Sequence, residues 1–521
     1  MMENLRPTEN PLTDTILETQ GLRAGRKEWI GLAVIALPCV LYSMDLTVLN
    51  LAIPHITIDL EPSSSQLLWI VDIYGFLVAG LLMTMGTLGD RIGRRKLLLM
   101  GAVAFGAASI FAASSKTPEM LILARAVLGI AGATLAPSTL SLIRNMFLDP
   151  KQRTVAIGVW VASYSAGGAI GPVVGGAMLE YYSWGSVFLI AVPVMILLLG
   201  LGPFLLPEFK DPDAGKLDFL SALLSLTAVL AMIFGLKKIA EGGVGWVSIA
   251  SIAVGIFIGK IFLLRQRRLK DPMIDLNLFK VPAFSAALTI YTLITFIAFG
   301  GFIFIFQYMQ FIQKLSPMKA GLLALPSFGG FIIGSVFAPM LAHRVRPVHV
   351  ITGGLVIAAL GFGLITQVDV DNGMGYLVVG MLIYSLGLAP VITLTTDLIV
   401  GAAPPERAGV ASALSETSSE FGGALGIAVL GSIGTAIYRI RITRDIPPIS
   451  ANLADEATET LGGAASVASK LPQEHGIQLL GTANEAFVTG MQVNSVIGAI
   501  IAVGLALLAA KFLKTVKPSG H

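Results

Sequence analysis

"GTLGDRIGRRK", residues 86–96, joins two long apolar stretches and says more about the fold than any other part of the sequence. Its glycines let helices approach closely and let the chain turn tightly. Asp90 can cap or pair with a helix end, and the arginines after it can hold neighbouring helices together on one side of a membrane. A basic turn that only orients the flanking helices is the simpler alternative.

The composition is that of a membrane protein. Of the 521 residues, 55% are hydrophobic and 13% charged, whereas about 25% are charged in an average soluble domain. A membrane-spanning helix needs about 20 mainly apolar residues. Such stretches are centred near residues 40, 78, 106, 129, 166, 195, 227, 255, 295, 330, 358, 388, 424 and 499. The sequence therefore predicts an all-α polytopic membrane protein with fourteen transmembrane helices.

Net charge, cysteine content and the N-terminal segment give no support for a nucleic acid partner, a disulfide or a signal peptide. The formal net charge of +3 gives no reason to expect a nucleic acid partner. The single cysteine, Cys39, excludes an intramolecular disulfide. The polar segment 1–27 is not followed by an apolar run with a small-residue cleavage site, so we expect no removable signal peptide.

The distribution of lysine and arginine predicts the orientation. Four alternate connections are basic, at 90–96, 144–153, 265–270 and 343–346, whereas 55–66 and 367–374 contain no Lys or Arg. The positive-inside rule then places both chain termini in the cytoplasm of a bacterial cell, with the protein in the inner (plasma) membrane. Residues 439–487 would form a long outer loop, for which we expect a helical hairpin or lid, with a solvated loop as the alternative.

"GVWVASYSAGGAIGPVVGG", residues 158–176, places small residues at regular intervals along the fifth span. Spaced small residues let two helices pack backbone to backbone, and a proline lets a helix bend. Taken alone, this pattern predicts ordinary close packing. Its members are Gly158, Gly167, Gly171, Pro172, Gly175 and Gly176.

Both motifs resemble those of the major facilitator superfamily. The connection between the second and third spans matches the superfamily signature at Gly86, Asp90, Arg91, Gly93, Arg94 and Arg95. The resemblance implies a gating latch there. The glycines of the fifth span look like the antiporter motif of superfamily exporters, which implies export.

The chain resembles the 14-helix drug:proton antiporters in its number of spans and in the string "MDLTVLNLAIP" (44–54). Within that family it is similar to the QacA/SmvA/LfrA-type quaternary-ammonium exporters at "LWIVDIYG" (68–75) and "ETSSEFGGALGIAVLGS" (416–432). The resemblance implies a major facilitator fold of six helices, two inserted helices and six more. The expected parts are a cytoplasmic segment 1–28, a first bundle 29–206, a linker with the inserted pair 207–282, a second bundle 283–511 and a cytoplasmic tail 512–521.

Several carboxylates fall inside the spans. A charged residue at the bilayer centre costs about 2.5–3.5 kcal/mol on insertion scales, so each needs a partner or a water-filled cavity. Arg125 is the one base that we expect among them, and it can neutralise at most one acid directly. The others should face a central cavity, and a purely structural role is the alternative. The acids are Asp45, Asp72, Glu416 and Glu420, with Asp397 toward the inner end of another span.

Glu416 and Glu420 are spaced i, i+4 and therefore share one face of a helix. Two nearby carboxylates resist ionising together and titrate as a coupled pair. Such a pair can hold a proton or a lipophilic cation; the alternative is a structural pair bonded to Ser415, Ser418 or Ser419. For Arg125 the resemblance implies proton relay or charge balance, with helix pairing as the alternative. For Asp397 a solvated helix end is equally possible.

The apolar part of a substrate would need apolar and aromatic walls. Some relatives have a further acid in the tenth span, where this chain has only glycine and apolar residues around Phe331. We therefore expect monovalent rather than divalent cations. Candidate wall residues are Met44, Trp69, Tyr74, Tyr164, Phe302, Phe306, Tyr308 and Met309.

The sequence contains no Gly-x4-Gly-Lys-Ser/Thr loop and no His/Cys metal cluster. We therefore expect no enzyme, no cofactor and no bound metal, and a transport cycle driven by an ion gradient. The prediction is a monomeric proton-coupled antiporter that exports lipophilic organic cations by alternating access. A proton-coupled or facilitated importer of a small solute is the alternative. A membrane sensor or scaffold would need a soluble output domain, which is missing from this sequence.

Overall fold

The computed structural model describes residues 23–62, 64–211, 218–269, 272–514 and 516. Most of the predicted cytoplasmic segment 1–28 and most of the tail 512–521 lie outside the described residues. Within them, fourteen helices are long and apolar enough to cross a membrane, as predicted.

Fourteen helices of the described residues can span a membrane. They are α1 (Arg26–Leu60), α2 (Ser64–Ile92), α3 (Arg94–Ala113), α4 (Pro118–Met146), α5 (Pro150–Tyr181), α6 (Ala191–Leu205), α7 (Phe219–Gly242), α8 (Trp246–Gln266), α9 (Pro282–Gln307), α10 (Pro317–Arg344), α11 (Pro347–Ile365), α12 (Met374–Ala402), α13 (Ala408–Asp445) and α16 (Gln473–Phe512). The two short helices α14 (Ala451–Glu459) and α15 (Leu461–Lys470) precede α16.

Several helices begin at a proline preceded by a capping side chain, which the sequence encodes locally. The Thr117 hydroxyl accepts from Met120 N at the start of α4, and the Asp149 carboxylate accepts from Lys151 N at the start of α5. Proline at the first helical position lacks only an N–H that the helix could not have satisfied.

Two large apolar cores correspond to the two groups of helices. One core consists mainly of residues from α1–α6, such as Ile35 and Leu128. The other is built from α9–α16, with Ile351 and Leu479 fully buried in it. The two groups meet where α5 packs against α10 and α12, and where α13 packs against α2 and α4. These two groups are called the first and the second bundle below.

The inserted helices α7 and α8 form an antiparallel pair. A Cβ on Gly235 of α7 would lie 2.6 Å from Ile252 Cγ1 of α8, so the glycine permits close contact between the two helices. The helix α7 also packs against α2 of the first bundle and α13 of the second.

Residues 439–487 are helical for most of their length. The helix α13 continues to Asp445, and Tyr438 Oη donates to the Ala457 carbonyl oxygen at 2.9 Å, which holds α14 in place. In α15 the Val467 side chain is fully buried in the second core. A hydrogen bond from Lys470 holds the pKa of Glu456 below its usual range. The segment thus packs on the second bundle and is not a solvated loop.

Alternating helix directions give the molecule two ends. We call the end at which α1 begins, with the connections 90–96, 144–153 and 343–346, the basic end. The helices α14 and α15 lie at the opposite end.

Candidate functional site

Asp45 of α1 and Arg125 of α4 form an ion pair inside the first bundle. Arg125 Nη1 donates to Asp45 Oδ2 at 2.5 Å, and Arg125 Nε donates to the Ile70 carbonyl oxygen at 3.2 Å. The Arg125 side chain is fully buried, whereas that of Asp45 is 14% exposed. The Arg125 Nη2 atom is buried and has no hydrogen-bond partner among the described residues. The pair therefore joins α4 to α1 and α2 and keeps one donor unused.

Asp72 of α2 pairs with a base that the sequence analysis did not consider. Lys237 Nζ of α7 donates to Asp72 Oδ1 and lies 4.6 Å from the centroid of the Phe76 ring. The prediction that Arg125 is the one base inside the spans is therefore wrong. Lys237 ends an apolar run as part of "GLKKIAEG" (235–242), and two lysines so close to the end of a span were the available signal.

Glu416 and Glu420 lie one helical turn apart on α13 and differ in their partners. Tyr42 Oη of α1 donates to Glu420 Oε1 at 2.9 Å, across the interface between the bundles. Glu416 is buried, and its Oε1 has no hydrogen-bond partner in the described part of the chain. The Ser415 hydroxyl is likewise buried without a partner. The alternative in which Ser415 binds these carboxylates is therefore not what the structure has.

Aromatic rings connect the two acidic sites. The Arg125 guanidinium carbon lies 4.6 Å from the Tyr74 ring centroid, and the Tyr74 and Tyr42 rings are 6.0 Å apart. Tyr164 packs edge-on against Tyr42 at 5.8 Å. The sequence analysis missed Tyr42, although it lies three residues before Asp45 on α1 and so on a neighbouring part of the same face. A continuous row of charged and aromatic groups therefore leads from Arg125 to Glu420.

An aromatic groove lies farther along the same face of α13. It has a volume of about 370 Å³ and is lined by Phe299, Phe302 and Phe306 of α9 and by Ile427 of α13. Ile427 is seven residues, or two helical turns, beyond Glu420. The Phe302 and Phe306 rings are 4.8 Å apart. The groove thus continues the acidic face toward the opposite end of the molecule.

The other expected wall residues are distributed differently. Trp69 is 46% exposed and lies 6.5 Å from the Phe76 ring, close to the Asp72–Lys237 pair. Tyr308 and Met309 are fully buried in the second core, and Tyr308 Oη donates to the Asp369 carbonyl oxygen at 2.7 Å. These two residues were wrongly expected to line a cavity. Met44 is buried in the first core.

The 86–96 connection fastens the bundles together at the basic end. Asp90 accepts from Gly409 N at 3.0 Å and Val410 N at 3.2 Å, at the beginning of α13. Arg94 is fully buried, pairs with Asp90 at 2.7 Å and donates to the Pro405 carbonyl oxygen at 2.8 Å. Asp90 thus acts as an N-terminal cap for a helix of the other bundle.

Glycines of the connection allow this approach. A Cβ on Gly86 would lie 2.5 Å from the Gly409 carbonyl oxygen. Gly93 has φ +112°, a conformation that side chains other than glycine rarely adopt. Of the other arginines, Arg95 Nη1 donates to the Pro203 and Leu206 carbonyl oxygens and so binds α3 to the end of α6. Arg91 lies half-buried in the last turn of α2.

Asp397 belongs to a second contact at the basic end. Arg153 Nε donates to Asp397 Oδ1 at 2.7 Å, and Thr154 Oγ1 donates to Asp397 Oδ2 at 2.8 Å. Asp397 is only 6% exposed, so the alternative of a solvated helix end is wrong. Its location in an ion pair between α5 and α12 also separates it from the other acids.

The glycines of α5 pack against two different helices. A Cβ on Gly167 would collide with the Val40 carbonyl oxygen of α1, and one on Gly171 with the Thr47 hydroxyl. A Cβ on Gly175 would lie 2.7 Å from Val48 Cγ1. Gly158 instead faces α10, where its Cβ would lie 2.5 Å from the Ser335 carbonyl oxygen. Pro172 lies inside α5, and a Cβ on Gly176 would meet no atom within 4 Å.

No group of three or more His, Cys, Asp or Glu side chains suited to a metal ion occurs in the part of the chain that the structure describes. Phe331, in the span where some relatives have another acid, packs against the first core.

Two comparisons with known proteins identify the family to which this fold belongs. The sequence model of the Major Facilitator Superfamily matches residues 35–427. The crystal structure of the human organic anion transporter MFSD10 (TETRAN) aligns with 91% of this chain and 99% of its own, with a TM-score of 0.59 at 15% identity. That likeness concerns the fold alone. The chain belongs to the Major Facilitator Superfamily.

Its relatives specify the kind of transporter. The multidrug efflux pump LfrA of Mycolicibacterium smegmatis is 42% identical over 93% of this chain and 96% of its own length. The methyl viologen resistance protein SmvA of Salmonella typhimurium is 33% identical over 89% of this chain and 93% of its own. The tetracenomycin C resistance and export protein of Streptomyces glaucescens is 30% identical over 96% and 93%. This chain is therefore a multi-pass membrane transporter of the multidrug-efflux type and not an enzyme.

Proposed function

We propose that the protein exports lipophilic organic monocations in exchange for protons, acting as a monomer by alternating access. The observation on which the proposal depends is the pair of acids on α13. Glu416 is buried and has an oxygen without a partner, and Glu420 one turn away is held by a neutral tyrosine hydroxyl. Two such carboxylates can share one proton or balance one positive charge.

The ion pairs of the other acids support a substrate with one positive charge. Asp45 is paired with Arg125, Asp72 with Lys237 and Asp397 with Arg153. These pairs leave the Glu416–Glu420 pair as the uncompensated negative charge in the row of groups between the bundles. A cation with one positive charge matches a pair that carries one proton.

The aromatic groove supports a lipophilic substrate. The rings of Phe302 and Phe306 offer apolar surface and faces that attract a cation, worth about 0.5–2 kcal/mol per favourable contact. The groove begins two turns from Glu420, so a flat organic cation can contact the carboxylate with one end and the rings with the other. The name of one relative, a multidrug efflux pump, agrees with a broad range of substrates.

The contacts at the basic end support a transport cycle. In the proposed cycle the basic end lies in the cytoplasm, so the Asp90–Arg94 latch and the Arg153–Asp397 pair close the inner side of an outward-facing state. Protons from outside neutralise the Glu416–Glu420 pair and release the cation. The bundles then rock so that these latches open, the protons leave to the cytoplasm, and a new cation binds.

Transport in proteoliposomes tests the proposal. An imposed pH gradient should drive ethidium movement, and an uncoupler should abolish it. The double variant Glu416→Gln/Glu420→Gln should insert normally and lose gradient-driven transport, since neither amide can exchange a proton. Each single variant should keep part of the activity, because either carboxylate can balance one charge. Ethidium movement that continues at full rate with the gradient collapsed, or in the double variant, would contradict proton coupling through this pair.

A further inference from the structure

The inserted helices have no role in the transport cycle described above, yet one of them reaches the row of charged groups. Lys237 lies on α7, which packs against α2 and α13. Its approach to α2 depends on Gly80, where a Cβ would lie 2.5 Å from Leu226 Cδ1 and 3.0 Å from Leu230 Cδ2 of α7. The close contact brings the Lys237 ammonium to Asp72 and the Phe76 ring.

The surroundings of Lys237 have the chemistry of an organic-cation site. A carboxylate, Asp72, and an aromatic ring, Phe76, lie against the ammonium, and the Trp69 ring lies next to the Phe76 ring. Cations bind favourably to such groups. The Lys237 side chain is 35% exposed and that of Asp72 is 19% exposed, so the pair is not sealed inside the protein. A lysine ammonium is a compact charge on a flexible four-carbon chain, so it can leave one carboxylate without rearranging the backbone.

We propose that Lys237 is a tethered counter-cation that occupies this second cation site and thereby restricts the transporter to substrates with one positive charge. Four acids, Asp45, Asp72, Glu416 and Glu420, share the interior with two bases, Arg125 and Lys237. The two ion pairs leave only the glutamate pair for a substrate. Without Lys237 a third carboxylate becomes uncompensated, and a substrate with a second positive charge gains a partner.

A counter-cation that can leave its carboxylate is better placed on the inserted helices, α7 and α8, than inside a bundle. Arg125 is fully buried and held by three groups, so it cannot leave Asp45 without breaking the first bundle. Lys237 belongs to a helix outside the two bundles, and its side chain is partly exposed. The inserted helices thus set the charge selectivity of the site, an inference that rests on the proposed function in organic-cation export.

Two dyes with the same ring system test the inference. Ethidium has one positive charge, and propidium has the same phenanthridinium rings and a second, quaternary ammonium. Purified full-length protein in detergent would be titrated with each dye at pH 8. We expect Lys237→Met to raise propidium affinity by about tenfold and ethidium affinity by much less, because only propidium has a second charge for Asp72. Lys237→Arg should keep the wild-type preference.

Two controls test whether the gain in propidium affinity is specific to Lys237 and whether it depends on Asp72. Lys238→Met removes the same charge from the next residue, whose ammonium lies 5.9 Å from the Phe234 ring, and should leave both affinities unchanged. Asp72→Asn/Lys237→Met should lose the gain for propidium. If Lys237→Met is not monodisperse, Lys237→Gln replaces it with the same expected gain.

The possible failures are distinguishable. If the wild-type protein binds neither dye, the proposed function is wrong. If it binds ethidium, but the ratio of propidium to ethidium affinity is the same in the wild-type protein and the Lys237 variants, the tethered counter-cation is wrong while the proposed function stands.

Discussion

Glu420 and Asp45 are both carboxylates inside apolar helices, and the residues around them give them different properties. Asp45 has a fully buried arginine as its partner, and removing one member of such a pair leaves an uncompensated buried charge, which costs about 3–5 kcal/mol. In the part of the chain that the structure describes, the hydrogen-bond donor to Glu420 is the neutral Tyr42 hydroxyl. A neutral donor stabilises a carboxylate less than an arginine does, so Glu420 is better suited to exchange a proton or a substrate.

The Tyr42 hydroxyl should therefore contribute directly to substrate binding. Tyr42→Phe keeps the ring that packs on Tyr74 and Tyr164 but removes the hydrogen bond to Glu420. We expect ethidium affinity to fall by roughly fivefold, because the hydrogen bond favours the ionised carboxylate that binds the cation; a hydrogen bond to a charged group is worth about 1.5–3 kcal/mol before water replaces it. Isothermal titration of the purified variant measures this. Tyr376→Phe, at an exposed tyrosine, is the matched control, and an identical affinity in both variants would contradict the role of Tyr42.

At the scale of an element, α5 shows how one helix serves two interfaces. Its glycines Gly167, Gly171 and Gly175 face α1 of the same bundle, while Gly158 faces α10 of the other. The stretch nearest the basic end therefore packs across the bundle interface, and the later part holds α5 rigidly to the helix that contains Asp45. The pattern of small residues predicts close packing but not which neighbour each glycine meets.

Two glycines of α5 provide a matched comparison. Gly167→Ala would place a methyl group against the Val40 carbonyl oxygen, whereas Gly176→Ala meets open space. We expect Gly167→Ala to reduce stability by about 1–3 kcal/mol, the usual cost of overpacking. Gly176→Ala should not reduce it. Thermal unfolding in detergent compares the two variants, and equal melting temperatures would show that α1 and α5 do not pack as described.

At the scale of the whole molecule, the contacts between the bundles differ along the helix axis. Asp90 with Gly409, Arg94 with Pro405 and Arg153 with Asp397 join the bundles at the basic end. Farther along, the interface contains the Tyr42–Glu420 hydrogen bond and the aromatic groove. The proposed transport cycle requires these latches to open, and they are side chains on helix ends that belong to neither core.

Proton and substrate should compete for the glutamate pair. A bound organic cation favours the ionised acids, so its binding must expel protons, and by linkage its affinity must fall as the pH falls. Purified protein should bind ethidium about tenfold more weakly at pH 5 than at pH 8, and adding the dye should acidify a weakly buffered solution. The Glu416→Gln/Glu420→Gln variant is the control and should release no protons. A pH-independent affinity would place the protons at a separate site.

The sequence by itself determined the fold class, the fourteen spans and the family, because these follow from long apolar runs and from local motifs such as residues 86–96. It also identified the acids inside the spans, since a charge in an apolar run is visible without a structure. Capping residues such as Thr117 and Asp149 likewise encode helix starts locally.

Only the tertiary structure decided which charges meet. Lys237 is 165 positions from Asp72, Tyr42 is 378 from Glu420 and Arg153 is 244 from Asp397. No periodicity within one helix specifies such pairs, because they depend on how α7, α1 and α5 are rotated and placed against helices distant in the chain. Tyr308 is a residue whose burial the sequence does not reveal. Its aromatic character is plain in the sequence, but the direction of its side chain after α9 buries it in the second core. Residue types and spans are therefore local properties of this chain, whereas partners and exposure are properties of helix packing.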